Sequence, residues 1–247
     1  MADGSISSKY NRALKKRWYA LWPIAAALIL YPINNIFVRV GILAALAGLW
    51  GGLLYFYWDR KVVRFGCIGL AGLVVVLMML PGRNADAVKL RQRYVTSLSS
   101  YEGTRYIWGG ENKLGIDCSG LVRSGLIVAN YKEGFSSINP RLVRRSLSMW
   151  WHDCSAKALG EEYRGQTRRL FRAESINEIQ ESKMLPGDIV VTASGVHTLA
   201  YIGDQTWIEA DPGEKRVIRV RVPSDSPWFK EPVSVLRWTQ FDSPNSK

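Results

Sequence analysis

Histidine and cysteine are scarce: two and three residues in a chain of 247. No CxxC pair and no Cys/His cluster occurs, so nothing points to zinc or another metal, and no cofactor is expected. Cys67 lies in an apolar run, which leaves one bridge, Cys118 to Cys154, as the most a disulfide framework can offer. No small-x-small site closes the first apolar run, and two further runs follow it, a pattern that argues against a cleaved signal peptide. Acidic residues are outnumbered, giving a formal charge of +12, yet no nucleic-acid motif accompanies the excess. A solvated basic face is the plainer reading, with an anionic membrane or cell-wall polymer as the alternative.

Polar residues are sparse from Trp18 to Gly82, after which the composition becomes that of a soluble domain. Three apolar runs stand in the first part: about 18–33, 40–58 and 62–80. A bilayer-spanning helix needs roughly 20 apolar residues. The second and third runs qualify, while Pro23 and Pro32 interrupt the first, which is either a span or an interfacial segment. Lys9, Arg12, Lys15, Lys16 and Arg17 precede the first run, Arg39 alone separates the first from the second, and Arg60, Lys61 and Arg64 separate the second from the third. By the positive-inside rule the N-terminus and second loop face the cytoplasm. Three spans put the rest of the chain outside, and two keep it inside. The expected organisation is a basic cytoplasmic N-terminus (1–17), a membrane region of about three helices (18–82), a globular domain (83–242) with an insert at about 130–183, and a tail (243–247).

The globular part opens with helix-type sequence from Ala85 to about Leu98, with Val88, Arg91, Val95 and Leu98 on one face. A glycine-rich turn region leads to "GIDCSGLV", and Leu121, Val122, Leu126 and Val128 then recur at helical spacing. Cys118 therefore falls at a helix start with Asp117 as N-cap, where unpaired N–H groups and the helix dipole stabilise a thiolate. A buried, inert cysteine is the competing reading. A thiolate nucleophile needs a base, and His152 and His197 are the two candidates. His152 sits beside two tryptophans in "SMWWHDCSA", within a helix expected to turn Trp150 and Trp151 to the core; lining the cleft or resting on the membrane is the alternative for this insert.

His197 lies in a region that alternates as strands: 188–192, 196–202 and 206–210, then 216–222 and 232–238, read as an antiparallel meander. With a three-residue turn at 203–205, paired residue numbers sum to 408, and Glu209 and Asp211 share the face of His197. A two-residue turn would send Glu209 to the other face. Either carboxylate would serve to orient the imidazole.

With the helix, "GTRYIWGG", "GIDCSGLV", "LPGDIVV" and "GVHTLAYIGDQTWIEA" in this order, the chain resembles the NlpC-type papain-like cysteine peptidases of bacterial cell walls. The resemblance implies an α+β fold, N-terminal helices packed on an antiparallel sheet, here preceded by a helical transmembrane region. It implies Cys118 as nucleophile, His197 as base and Glu209 as the third residue, with Asp211 as its rival. Tyr106, Trp108, Asp117 and Ser119 are the candidate substrate-binding or site-shaping residues. The implied substrate is a peptide or amide bond of peptidoglycan stem peptides, with no metal or cofactor and no nucleic-acid partner. The chain departs from the family in having Glu at the third position and in a cysteine-to-histidine separation of 79 (197 − 118). The expectation is a multi-pass protein of the bacterial cytoplasmic membrane, its peptidase domain on the outer side. The alternatives are a cytoplasm-facing thiol amidase or acyltransferase and a non-catalytic wall-binding module.

Overall fold

A computed structural model describes residues 3–242, and their side chains from residue 11 onward. The tail at 243–247 lies outside the described residues. The chain divides into two compact units, Met1–Leu80 and Pro81–Lys247.

The first unit is three helices: α1 (Asp3–Leu30), α2 (Ile36–Phe56) and α3 (Lys61–Met79). α1 and α2 form an antiparallel pair. Leu28 of α1 meets Gly41 of α2, Leu21 meets Gly48, and Trp18 lies against Gly52 and donates its indole N–H to the Leu49 carbonyl at 3.2 Å. Glycines admit this approach because nothing projects from the facing backbone. Two of the helices, α2 (21 residues, mean hydropathy 1.9) and α3 (19 residues, mean hydropathy 2.3), are long and apolar enough to cross a membrane. The first apolar run forms only the C-terminal half of α1, behind its basic residues.

The second unit begins with α4 (Ala87–Ser99), capped by Asp86, whose carboxylate accepts from the N–H groups of Val88 and Lys89. A hairpin of β1 (Glu111–Asn112) and β2 (Gly115–Ile116) leads to α5 (Cys118–Ser136), then α6 (Pro140–Trp151) and α7 (Ala156–Gly160). The strands β3 (Thr167–Ala173), β4 (Ile189–Thr192), β5 (Thr198–Gly203), β6 (Thr206–Asp211), β7 (Arg216–Arg221) and β8 (Val233–Trp238) form one antiparallel sheet in the order β3-β8-β4-β5-β6-β7. α5 is buried on almost every side, against α4, α6 and the sheet, with Leu121, Val122, Leu126 and Ala129 fully enclosed. Such a helix has little lateral freedom, so whatever stands at its first residue is held firmly against β5 and β6.

The mixed helix-plus-antiparallel-sheet architecture matches expectation, with four corrections of detail. The meander covers only β4 to β7; β8 crosses back to pair with β4, and β3, in the insert, adds an edge strand the alternation had not revealed. Arginines at 168, 169 and 172 mask its pattern, because a sheet edge tolerates charge. On α4 the buried face is Leu90, Tyr94, Ser97 and Leu98, while Val88 points to solvent. Tyr94, which the expected face left out, is enclosed and donates its hydroxyl to the Val122 carbonyl at 3.1 Å. On α6 the core takes Leu142, Ser146 and Met149, and the tryptophans fall off that stripe, Trp150 half-buried and Trp151 exposed.

The third strand pair carries the fourth correction. Ala200 pairs with Ile208 and Tyr201 with Trp207, sums of 408, but Gly203 pairs with Thr206. The turn is therefore the two residues Asp204 and Gln205, both at positive φ (50° and 58°), and a bulge between Tyr201 and Gly203 restores the 408 register. A two-residue turn without the bulge would have reversed the faces of β6.

Candidate active site

Asp117 organises the approach to α5. Its backbone is extended (φ −103°, ψ −178°), and its carboxylate accepts from the Gly120 N–H at 2.6 Å, the Gly109 N–H at 2.8 Å and the Ser119 hydroxyl at 3.0 Å. The first bond caps the helix, and the second ties the double-glycine loop to its start. Gly109 takes φ 75°, which side chains resist, and a Cβ at Gly120 would strike the Gly110 carbonyl oxygen. The glycines flanking the cysteine thus let the loop close over the helix terminus. Cys118 is consequently the first residue of α5, with the positive end of the helix beneath its thiol.

The Cys118 thiol is 7% exposed, and its Sγ lies 3.8 Å from the Val196 carbonyl oxygen. His197, the next residue, precedes β5 and is 2% exposed. Its backbone is locked to Thr192, whose N–H donates to the His197 carbonyl at 3.1 Å and whose Oγ1 accepts the His197 N–H at 3.2 Å. Nε2 of His197 is 2.6 Å from Oε2 of Glu209 on β6. Cys118 is a close neighbour of the ring, near enough to act on its charge. Burial disfavours the charged imidazole, but Cys118 and Glu209 together outweigh it and lift its pKa from 6.5 to about 9.

Glu209 is fully buried, which raises its pKa above the carboxylate range while the His197 ring opposes the rise. Its Oε1 has no hydrogen-bond partner. Asp211, two residues along the same strand, is used otherwise: its Oδ1 accepts from the N–H groups of Gly213 and Glu214 and closes the β6–β7 turn. Of the two rival carboxylates, Glu209 is the one at the ring.

Tyr106 stands beside the cysteine. Its N–H donates to the Lys215 carbonyl at 2.8 Å, and its hydroxyl is pushed up to about 12 by burial and by the neighbouring Cys118, Asp117 and Asp211. Ser119 acts on Asp117, and Trp108 is 82% exposed on the loop. Cys118 and Cys154 carry thiols, with no disulfide between them. His152, at the end of α6, is bonded to the Ser148 carbonyl and takes no part in this cluster. Asp188 of "LPGDIVV" is structural: fully buried, it accepts both bonds of the Arg237 guanidinium at 2.7 Å. Among the described residues, no three or more His, Cys, Asp or Glu side chains gather as a metal site would require.

Sequence reasoning missed Trp228. It comes from the Pro227–Phe229 turn between β7 and β8 and stacks on the His197 ring, centroids 4.3 Å apart and planes at 22°. Only the crossover of β8 brings this turn over β5, so no local pattern announces the contact.

A protease-like cluster at the junction of a capped helix and an antiparallel sheet is thus on hand. The family model of NlpC/P60 matches residues 103–237, from the glycine-rich loop to β8, and the chain belongs to that family. No curated protein matches the chain. Among solved structures it is similar to the peptidoglycan hydrolase RipB of Mycobacterium tuberculosis (17% identity, 81% of this chain and 89% of that one, TM-score 0.40). It is also similar to NlpC1 of Trichomonas vaginalis (19%, 60% and 43%, TM-score 0.38) and to an NlpC/P60 family protein of Bacillus cereus (17%, 60% and 40%, TM-score 0.39). The chain spans less than half the length of the last two.

Proposed function

We propose that the protein is a membrane-anchored cysteine hydrolase that cleaves peptide or amide bonds in peptidoglycan stem peptides. The observation that carries the reading is the single constellation of Cys118 at a helix N-terminus, His197 beside it, and Glu209 at 2.6 Å from Nε2 of the ring. The Cys118 thiolate attacks the amide carbonyl carbon while the imidazolium of His197 protonates the departing amine. The tetrahedral oxyanion lies against the Cys118 N–H and the helix dipole. Water then adds to the thioester, giving its proton to His197, and the carboxylic acid product leaves with the thiolate restored. Glu209 is a positioning residue that orients the ring and favours its charged form, and Trp228 holds the ring plane from one face. Tyr106 shapes the site beside the thiol.

The test is incubation of the full chain and its Cys118→Ala variant with purified peptidoglycan, with released fragments identified by mass spectrometry. New stem-peptide fragments are expected from the wild type only, with a loss of roughly 10⁴-fold or more in the variant. Cleavage by the variant overturns the assignment.

Anchoring rests on α2 and α3. The apolar part of α1 (Trp18–Leu30) is 13 residues, about 20 Å of helix and shorter than the bilayer core. It nevertheless packs along α2 from Gly41 to Gly52, which supports a place at the same depth and hence three spans with the domain outside. A second reading has a specific observation behind it, since among the described residues only α2 and α3 meet the length and hydropathy of spans. Two spans would return the domain to the cytoplasmic side as a thiol amidase or acyltransferase. Labelling of Leu114→Cys by a membrane-impermeant maleimide on intact cells is expected under the first reading, and its failure with success after lysis favours the second.

A further inference from the structure

The corner between α5 and α6 has two features that do not belong to the active site. Phe135 and Ile138 project from it, 61% and 76% exposed. Ile138 does so from φ 48°, a conformation that a β-branched residue adopts only at a cost and that glycine or asparagine would occupy freely. That strain is offset by little burial within the domain, since most of the side chain is exposed. Arg83 is bonded to this corner at Ser137, Lys132 of α5 and Arg141 and Arg145 of α6 lie within two helical turns of it, and among the described residues no carboxylate pairs with any of them. Glu133, the acid at this end of α5, is already bonded to Lys89 at 3.0 Å and Arg93 at 3.3 Å. Partial burial, and then the nearby Arg141, hold the Arg145 guanidinium below its ordinary pKa, a repulsion the fold retains.

The chain itself says what this corner meets. Residues 82–84 follow the end of α3 directly, and they are fastened to the corner: Arg83 donates to the Ser137 carbonyl, Asn139 donates to the Arg83 carbonyl at 3.0 Å, and Arg141 donates to Asn84 at 2.5 Å. An anchor that crosses the bilayer at α3 therefore delivers the corner to the lipid surface within a few residues, a reach of about 10 Å. Apolar tips ringed by unpaired basic groups suit an interface with anionic headgroups, where the tips enter the acyl boundary and the arginines meet phosphates.

We infer that the α5–α6 corner docks on the surface of an anionic bilayer, with Phe135 and Ile138 inserted and Arg83, Lys132, Arg141 and Arg145 on the headgroups. This rests on the anchoring of the proposed function but is a separate contact. α5 has 19 residues, about 28 Å of helix, and Cys118 stands at its opposite end. One helix thus carries the lipid contact at its C-terminus and the thiol at its N-terminus.

The full chain is reconstituted in vesicles of phosphatidylcholine with or without phosphatidylglycerol, bearing bimane on Ile138→Cys or, as the distal probe, on Trp108→Cys. The unsubstituted chain, whose three cysteines are buried, is the labelling blank. Flotation reports anchoring, and quenching by lipids brominated on the acyl chain reports docking. The expected result is flotation of every form, quenching of the Ile138 probe that requires phosphatidylglycerol and falls with salt, and no quenching at Trp108. Changing Arg83, Arg141 and Arg145 to Gln is expected to weaken docking about a hundredfold with flotation intact. Flotation without quenching at Ile138 overturns the docking and leaves the anchor standing, and loss of flotation removes both. Equal quenching without phosphatidylglycerol overturns the anionic partner.

Discussion

The two units invert opposite rules. In the first, leucines, valines and phenylalanines lie outside: Leu73 of α3 is 54% exposed, and most of that helix is exposed likewise. In the second, leucines are sealed inside, and charges go with them: Glu209, Asp188 and Arg123 are all buried. Apolar residues on the surface ask for a solvent that is not water. Charges in a core ask for partners, and Asp188 and Arg123 have theirs in full view: Asp188 has Arg237, while Arg123 has Glu111, Asp153 and the Met149 carbonyl. Glu209 has one, the ring of His197, and an oxygen left over. The lesson is that an inversion left without full partners, as at the apolar face of α3 and the spare oxygen of Glu209, marks where a unit does something beyond holding itself together.

The sharpest form of the comparison swaps equal residues. Leu121→Ala in α5 removes fully buried methyl groups between helix and sheet and is expected to cost about 2–5 kcal/mol of stability, measured by chemical unfolding of the full chain in detergent. Leu73→Ala in α3 empties no protein core and is expected to change unfolding by less than about 0.5 kcal/mol. Equal losses would break the contrast.

A charge probes the same contrast from the other side. Val88 of α4 is as exposed as Leu73, yet it faces water. Leu73→Arg is expected to cost about 2.5–3.5 kcal/mol of membrane insertion, seen as loss from the membrane fraction after carbonate extraction, and Val88→Arg almost nothing. If both arginines are tolerated, α3 does not cross a bilayer.

What was legible divides along the same line. Hydropathy alone located both apolar helices, because a long apolar run is a signal averaged over many neighbours. In the second unit the N-cap at Asp117, the helix after Cys118 and five strands were readable, since capping and alternation are local. The edge strand β3 was hidden because its arginines obscure alternation, and Trp150 and Trp151 were misplaced because aromatic character says less than the stripe set by Leu142, Ser146 and Met149. Trp228 could not be found at all, its contact depending on a crossover of the chain. Glu209 was placed on the right face through a turn of the wrong length, the bulge making up the difference.

The buried pair makes a pH prediction. The pKa of His197 is raised to about 9 in the folded chain, so its pairing contributes stability fully below 6.5, its ordinary value, and the contribution is lost as pH rises through about 9. Thermal unfolding of the wild type is expected at falling temperature over that window. If the charged ring is also the proton donor in hydrolysis, activity fails on the same alkaline limb. Glu209→Gln keeps a hydrogen bond to Nε2 but removes the charge that favours the imidazolium. It is expected to move the limb to lower pH and to reduce hydrolysis about tenfold, the size of a charge-assisted over a neutral hydrogen bond. An unmoved limb would mean that Glu209 does not govern the ring.

The smallest effect is the most discriminating. Asp211 lies on the same strand as Glu209, two residues along, and a reading from alternation alone makes the two equivalent. The structure gives them different work: Asp211 accepts backbone N–H groups from Gly213 and Glu214, an acceptor role that asparagine performs nearly as well. Asp211→Asn is therefore expected to change hydrolysis by less than about threefold and to leave the alkaline limb in place, below the loss of a single charged contact. A residual influence through space is built in, since Asp211 raises the pKa of Glu209 and contributes to that of Tyr106. Removing its charge lowers both slightly and so favours the ionised Glu209, which makes a modest gain more natural than a loss. If Asp211→Asn instead matched Glu209→Gln in both rate and pH profile, the third position would belong to the pair of carboxylates as a unit, and the buried oxygen of Glu209 would be read through its neighbour's charge.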